Sequence, residues 1–174
     1  KVLIEGLNMS VLASVNYSGD ALGVSLKKLV LDAGGGELAT AHLDAAIPLS
    51  GGGDISAQAG ADLDLHRLLD VLAIKPKGRT TLPRHLALET QVALRQKPGL
   101  LVVNTLDAGL SLENKTSLLT LHLLQPLLIE TTPAGRKLGN AAGKLATLTL
   151  GDIDLNWFSA FVPEATLKGR LSRA

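Results

Sequence analysis

The sequence predicts an all-β protein with one or two short helices: an open, curled, antiparallel-rich sheet forming a hydrophobic groove, with a closed β-sandwich as the alternative. Three observations predict it. Apolar and polar residues alternate over most of the 174 residues, which is the period of a strand whose two faces differ. The apolar fraction is 46% while aromatic rings are 2%, so the oily side is built from Leu, Val and Ala rather than from the large rings that anchor most cores. Short turn clusters rich in Gly, Asp, Asn and Pro separate the alternating runs.

The first strand runs from Leu7 to Tyr17. Leu7, Met9, Val11, Ala13, Val15 and Tyr17 share one face and Asn8, Ser10, Ser14 and Asn16 the other, with Leu12 alone out of pattern. Ser18-Gly19-Asp20 turns the chain, and a second run carries Leu22, Val24 and Leu26, then Leu29, Val30 and Leu31. Its phase slips at Lys27-Lys28, where the extra residue of a bulge returns Leu29 and Leu31 to the oily face. After Gly34-Gly35-Gly36 the alternation resumes through Ala39, Ala41, Leu43, Ala45, Ile47 and Leu49, and Pro48 marks an edge or an end. Gly51-Gly52-Gly53 is a hairpin turn rather than a phosphate-cradling loop, because no Lys-Ser/Thr follows it and strands flank it on both sides. Ile55, Ala57, Ala59, Ala61, Leu63 and Leu65 form a fourth strand. His66 to Ile74 has apolar spacings of three and four, which suit a short helix, and Asp64 is placed to cap it.

The second half repeats the plan. Leu86, Leu88, Val92 and Leu94 alternate, Lys97-Pro98-Gly99 turns, and Leu100, Val102, Leu106, Ala108, Leu110 and Leu112 alternate again. Asn114-Lys115 turns once more. Leu118 to Ile129 is leucine-rich but too irregular to assign a face, Pro133 to Gly139 is loop-like, Lys144 to Leu155 is a strand, and Asn156 to Val162 is a second short helix. Ala61-Asp62-Leu63-Asp64-Leu65, a helix and Lys77-Gly78-Arg79 match Gly151-Asp152-Ile153-Asp154-Leu155, a helix and Lys168-Gly169-Arg170, about 90 residues on. The expected units are 1–80, with its helix over 65–74, and 81–174, with its helix over 156–162. Both are expected to belong to one fragment of a longer protein, because the opening Lys-Val-Leu-Ile-Glu does not read as a signal peptide and the closing Leu-Ser-Arg-Ala reads as a strand cut partway.

Composition excludes several functions. Seventeen basic and 16 acidic residues, dispersed to a net charge of +1, give no basic patch for nucleic acid. Cysteine is absent, so there is no disulfide, thiolate nucleophile or Cys-based metal site, which fits a periplasmic setting. No stretch approaches the ~18 consecutive apolar residues of a spanning helix. Asp62 with Asp64, and Asp152 with Asp154, are better read as caps and solvated charges than as an acid–base pair or calcium ligands. His42, His66, His85 and His122 lack HxH or HxxxH spacing, so no zinc site is expected. Ser10, Ser14, Ser18 and Ser25 lack a nucleophile elbow, and no enzyme is expected. Trp157, Phe158 and Phe161, three of the four aromatic rings, are expected to plug the end of the sheet.

The alternating leucine strands, the Asp-φ-Asp-Leu segment entering a short helix, and the basic-Gly-Arg step after it resemble the AsmA-like superfamily, including the TamB proteins of bacteria with two membranes. That resemblance implies a long open sheet in a protein anchored in the inner membrane, crossing the periplasm, moving phospholipid towards the outer membrane without chemistry or cofactor, and in TamB members working with an outer-membrane barrel protein. The candidate acyl-chain groove is Leu7, Met9, Val11, Val15, Leu43, Ile47, Ile55, Leu63, Leu86, Leu88, Val92, Leu94, Val102, Leu106, Leu110 and Leu112. Two other functions compete with it. A scaffold or chaperone would pair its free strand edges with unfolded outer-membrane strands, and a closed sandwich would act as an adhesive or structural repeat.

Overall fold

A computed structural model describes residues 6–50, 53–75, 82–113, 115–132, 135–139, 143–154, 157 and 170–171. The alternating runs become strands β1 (Asn8–Ser18), β2 (Ala21–Ala33), β3 (Gly36–Pro48) and β4 (Ile55–Asp64), followed by helix α1 (Leu65–Val71). The chain continues through β5 (His85–Lys97), β6 (Leu100–Leu112), β7 (Ser117–Leu123), β8 (Leu127–Thr132), β9 (Gly135–Leu138) and β10 (Ala146–Leu150). These ten strands form one antiparallel sheet that is curled and not closed. Its main path runs β1-β2-β3-β4-β5-β6-β7-β10, while β8 pairs with the early part of β6 and carries β9. A separate two-residue pair joins β11 (Ile153–Asp154) to β12 (Arg170–Leu171).

Partners directly opposite in an antiparallel ladder share a face, so register reads out both surfaces. Val11, Leu29, Ala41, Ala61, Leu88, Leu110, Leu119 and Leu150 oppose one another in turn across all eight strands of the main path. On the reverse side Ser14, Ser25, Asp44, Gln58, Gln91, Asp107, His122 and Thr147 do the same. The sheet therefore has one aliphatic face and one polar face.

Bulges keep those faces coherent. On β2, Leu12 opposes Lys28 and Ala13 opposes Leu26, so Lys27 is the extra residue, and Leu29 and Leu31 rejoin the face of Leu26 as the sequence predicts. A second bulge corrects an expectation. Ala93 opposes Thr105 but Leu94 opposes Val103, which makes Asn104 the extra residue of β6. Val102 therefore lies on the polar face opposite Arg95, and the aliphatic rows continue through Val103 and Leu101 instead. Asp54 holds the bulge, accepting from Arg95 Nε at 2.5 Å and from Asn104 Nδ2 at 3.1 Å.

Three further boundaries differ from the sequence reading. The 118–129 run splits at Leu124–Pro126 into β7 and β8, since proline supplies no ladder N–H, and its irregular phase includes Leu118, the extra residue between Ser117 and Leu119. The expected loop over 133–139 contains strand β9, whose Lys137 and Leu138 pair with Glu130 and Ile129. The expected strand over 144–155 is two, β10 and β11. Between them Gly151 donates its N–H to Leu118 O at 2.8 Å, so close to the backbone of Ser117 that a Cβ would overlap its carbonyl. The expected Gly51-Gly52 turn, the Lys77-Gly78-Arg79 and Lys168-Gly169 steps and most of the second helix lie outside the described residues; Trp157, within that helix, is helical.

Helix α1 closes one end of the sheet. Its N-cap is Asp64, as predicted, whose carboxylate accepts from the Arg67 backbone N–H at 2.8 Å. It stops earlier than the expected Ile74, because Leu72 is the C-cap and Ala73 adopts the left-handed conformation with φ 55°. The Leu65 N–H bonds Arg84 O at 2.8 Å and Arg67 Nη1 bonds Ala33 O at 3.3 Å, tying the helix to the entry of β5 and to the β2–β3 hairpin.

Candidate functional site: an uncovered aliphatic face

Among the described residues almost nothing lies over the aliphatic face. The buried apolar side chains among these residues are Ala33, Leu38, Leu69, Leu82 and Leu118, of which Leu69 and Leu82 form a small cluster with Leu65 and Trp157 at the helix end. Along the rest of the face Met9 is 67% exposed, Val15 65%, Leu148 60% and even Leu88, on a central strand, 43%. A sandwich would bury these positions under a second sheet ≈ 10 Å away. The total accessible surface is large in the same sense: 11576 Å² for 18.1 kDa, against about 8,100 Å² for a compact monomer of that mass.

Register places the predicted groove residues on this face with two exceptions. Met9, Val11 and Val15 oppose Leu31, Leu29 and Val24; Leu43 and Ile47 oppose Leu26 and Leu22; Ile55 and Leu63 oppose Leu94 and Leu86. Leu88, Val92 and Leu86 oppose Leu110, Leu106 and Leu112. Leu7 precedes β1 and is 52% exposed, and Val102 is on the other side. Sequence reasoning missed Leu101 and Val103, displaced by the Asn104 bulge, and Leu119, Leu121, Leu148 and Leu150, which extend the rows onto β7 and β10. The odd-numbered leucines after Leu118 were the available signal for β7.

At the α1 end the face runs into a cavity of about 260 Å³ with no polar atom in its wall, formed by Leu65, Leu82, Leu86, Leu110, Ile153 and Trp157 among others. The two matched segments of the sequence thus meet here, one supplying Leu65 and the other Ile153. Trp157 sits where a plug was expected.

The polar face organises charge. His85 Nδ1 donates to Asp62 Oδ1 at 2.8 Å, His122 donates to Asp107, and His42 lies 3.8 Å from Glu89 across the missing side chain of Gly60. His66 Nε2 meets Leu82 O at 3.2 Å instead. Asp64 is buried, and burial, the largest single influence, opposes its ionisation. The Arg67 N–H, the Arg84 hydrogen bond and the charges of Arg84 and His85 together outweigh burial and hold its carboxyl below the usual range. A charged hollow of about 410 Å³ lies beside it, but its Asp64, Arg67 and Arg84 already neutralise and orient one another as the helix cap. Among the described residues no group of three His, Cys, Asp or Glu is placed to hold a metal, and no helix is long and apolar enough to cross a membrane.

No family model, curated protein or solved structure matches this chain.

Proposed function

We propose that this chain is a non-enzymatic lipid-carrying segment that holds phospholipid acyl chains in the aliphatic trough, within a longer periplasmic protein anchored in the inner membrane of a two-membrane bacterium and acting in delivery of phospholipid to the outer membrane. The observation that carries it is the aliphatic row unbroken across eight strands and left uncovered. A soluble chain seldom exposes so large an apolar surface without a partner for it. The dimensions suit a lipid. Eight strands at ~4.8 Å spacing span roughly 34 Å, and one leaflet's hydrocarbon is about 15 Å deep. Moving about 14 methylenes from water into the trough is favourable by on the order of 11 kcal/mol before entropic costs. Leu, Val and Ala conform to chains of different shape, so affinity is expected with little selectivity. The AsmA-like resemblance supports the envelope setting.

The test is labelling by a photoactivatable phospholipid. Leu88→Arg puts a charge at the centre of the trough and is expected to cut labelling about tenfold, equivalent to ~1.4 kcal/mol; Gln91→Arg, on the polar face, is expected to leave it unchanged. Equal labelling of the two variants overturns the proposal. A strand-edge scaffold for outer-membrane proteins is favoured by one feature: β1 has no charge, proline or bulge of its own over eleven residues, and among the described residues nothing pairs with its outer edge. That reading predicts peptide capture insensitive to Leu88→Arg.

A further inference from the structure

We infer that the cavity beside Trp157 seats the methyl end of an aliphatic chain lying in the trough, so that an amphiphile binds in one orientation, tail towards α1 and head towards the β5–β6 turn; this rests on the acyl-binding reading above. The cavity's wall supplies no hydrogen-bond partner, and its volume of about 260 Å³ is larger than the ~150 Å³ of an apolar cavity known to accept small apolar molecules. A headgroup placed there would lose its hydrogen bonds to water without replacement. The chain terminus of a lipid is the part that loses none.

The cavity opens onto the trough, because Leu86 and Leu110 are members of its rows: Leu110 opposes Leu88, and Leu86 is the next residue of β5 on that face. At the far end of the same face the lining turns polar. Gln96 opposes Leu101, Leu101 opposes Ile129, and the next position beyond Ile129 pairs Thr131 with Arg136. These residues border a hollow of their own. One end is thus closed by carbon, and the other, ~33 Å away along β5, is rimmed by an amide, a hydroxyl and a guanidinium, so the face grows more polar away from the cavity, which favours an amphiphile lying lengthwise along the strands with its tail in the cavity.

Trp157 is the only tryptophan of the chain and so reports on its own site. Two probes decide the question: hexadecanoic acid brominated on its terminal carbon, and the same acid brominated next to the carboxylate. Bromine quenches indole fluorescence at close range. Binding of each probe is measured separately, by displacement of radiolabelled hexadecanoate. The terminal bromine is expected to quench Trp157 at least twice as strongly as the carboxyl-proximal one at equal occupancy. Leu119→Phe, which narrows the cavity, is expected to abolish the difference while circular dichroism shows the sheet retained. Equal quenching by two bound probes, or no quenching, overturns the orientation and leaves the trough reading standing. If neither probe binds, both readings fall.

Discussion

Asp64 joins helix capping, charge pairing and burial in one side chain. Its carboxylate receives the Arg67 N–H at 2.8 Å and Arg84 Nε at 3.3 Å, so removing it frees an N-terminal donor of α1 and an arginine at once. Asp64→Ala is expected to cost about 1–2 kcal/mol in chemical denaturation at neutral pH, and Asp64→Asn, which keeps the cap but not the charge, about half of that. The pH dependence follows from the lowered carboxyl. A group whose folded value lies below its unfolded one contributes fully above the unfolded value, about 4, and loses that contribution as pH falls through the folded value. The stability gap between wild type and Asp64→Asn is therefore expected to narrow as pH falls below the ordinary carboxylate value of about 4 and to close once the folded-state carboxyl is protonated, whereas a gap that does not narrow on acidification contradicts the assignment. The cap itself was legible in the sequence, because an Asp preceding a change of period is a local signal. Arg84, twenty residues on, was not, since only the β4–β5 pairing brings it alongside.

Single residues of insertion decide which way whole strands face. The bulge at Lys27 was legible because hydrophobic residues on both sides of it are unambiguous. The bulge at Asn104 was not, because Leu100, Leu101, Val102 and Val103 are all aliphatic and fit either phase. What resolves the ambiguity is Asp54 on β4's approach, which ties Arg95 to the bulged Asn104 and fixes the register of β6. Because the chain has no cysteine, single-cysteine variants read the outcome cleanly. In Val103→Cys, maleimide labelling is expected to slow several-fold when a lysophospholipid occupies the trough; in Val102→Cys it is expected not to change. The reverse pattern would place the bulge elsewhere. Pro126 acts by the same local logic at the boundary of β7 and β8, where the sheet divides its far edge between β10 and β9.

The described residues form a single curled layer with a small plug at one end. Its surface, 11576 Å² against about 8,100 Å² for a compact body, means that unfolding exposes about a fifth less new area than a compact chain of equal mass would expose. The denaturant slope scales with that area, so the urea m-value is expected to fall about a fifth below the compact-domain value. A slope at the compact value would mean that a second layer covers the aliphatic face in solution. With few buried side chains among the described residues, the ladder hydrogen bonds and cross-strand aliphatic pairs hold the sheet together, which concentrates cohesion along the sheet rather than across its face.

Alternation alone determined that the chain is made of two-faced strands, that one face is aliphatic, and that a short capped helix interrupts them, because side-chain direction along a strand is a local property with a period of two. Whether that aliphatic face meets another layer is not local. The same rows fill a sandwich or line an uncovered face, and the difference lies in which strands pair at the edges and whether the sheet folds back on itself. Tertiary structure decided it through the register that runs from β1 to β10 without returning, and through the bulge that exchanges Val102 for Val103.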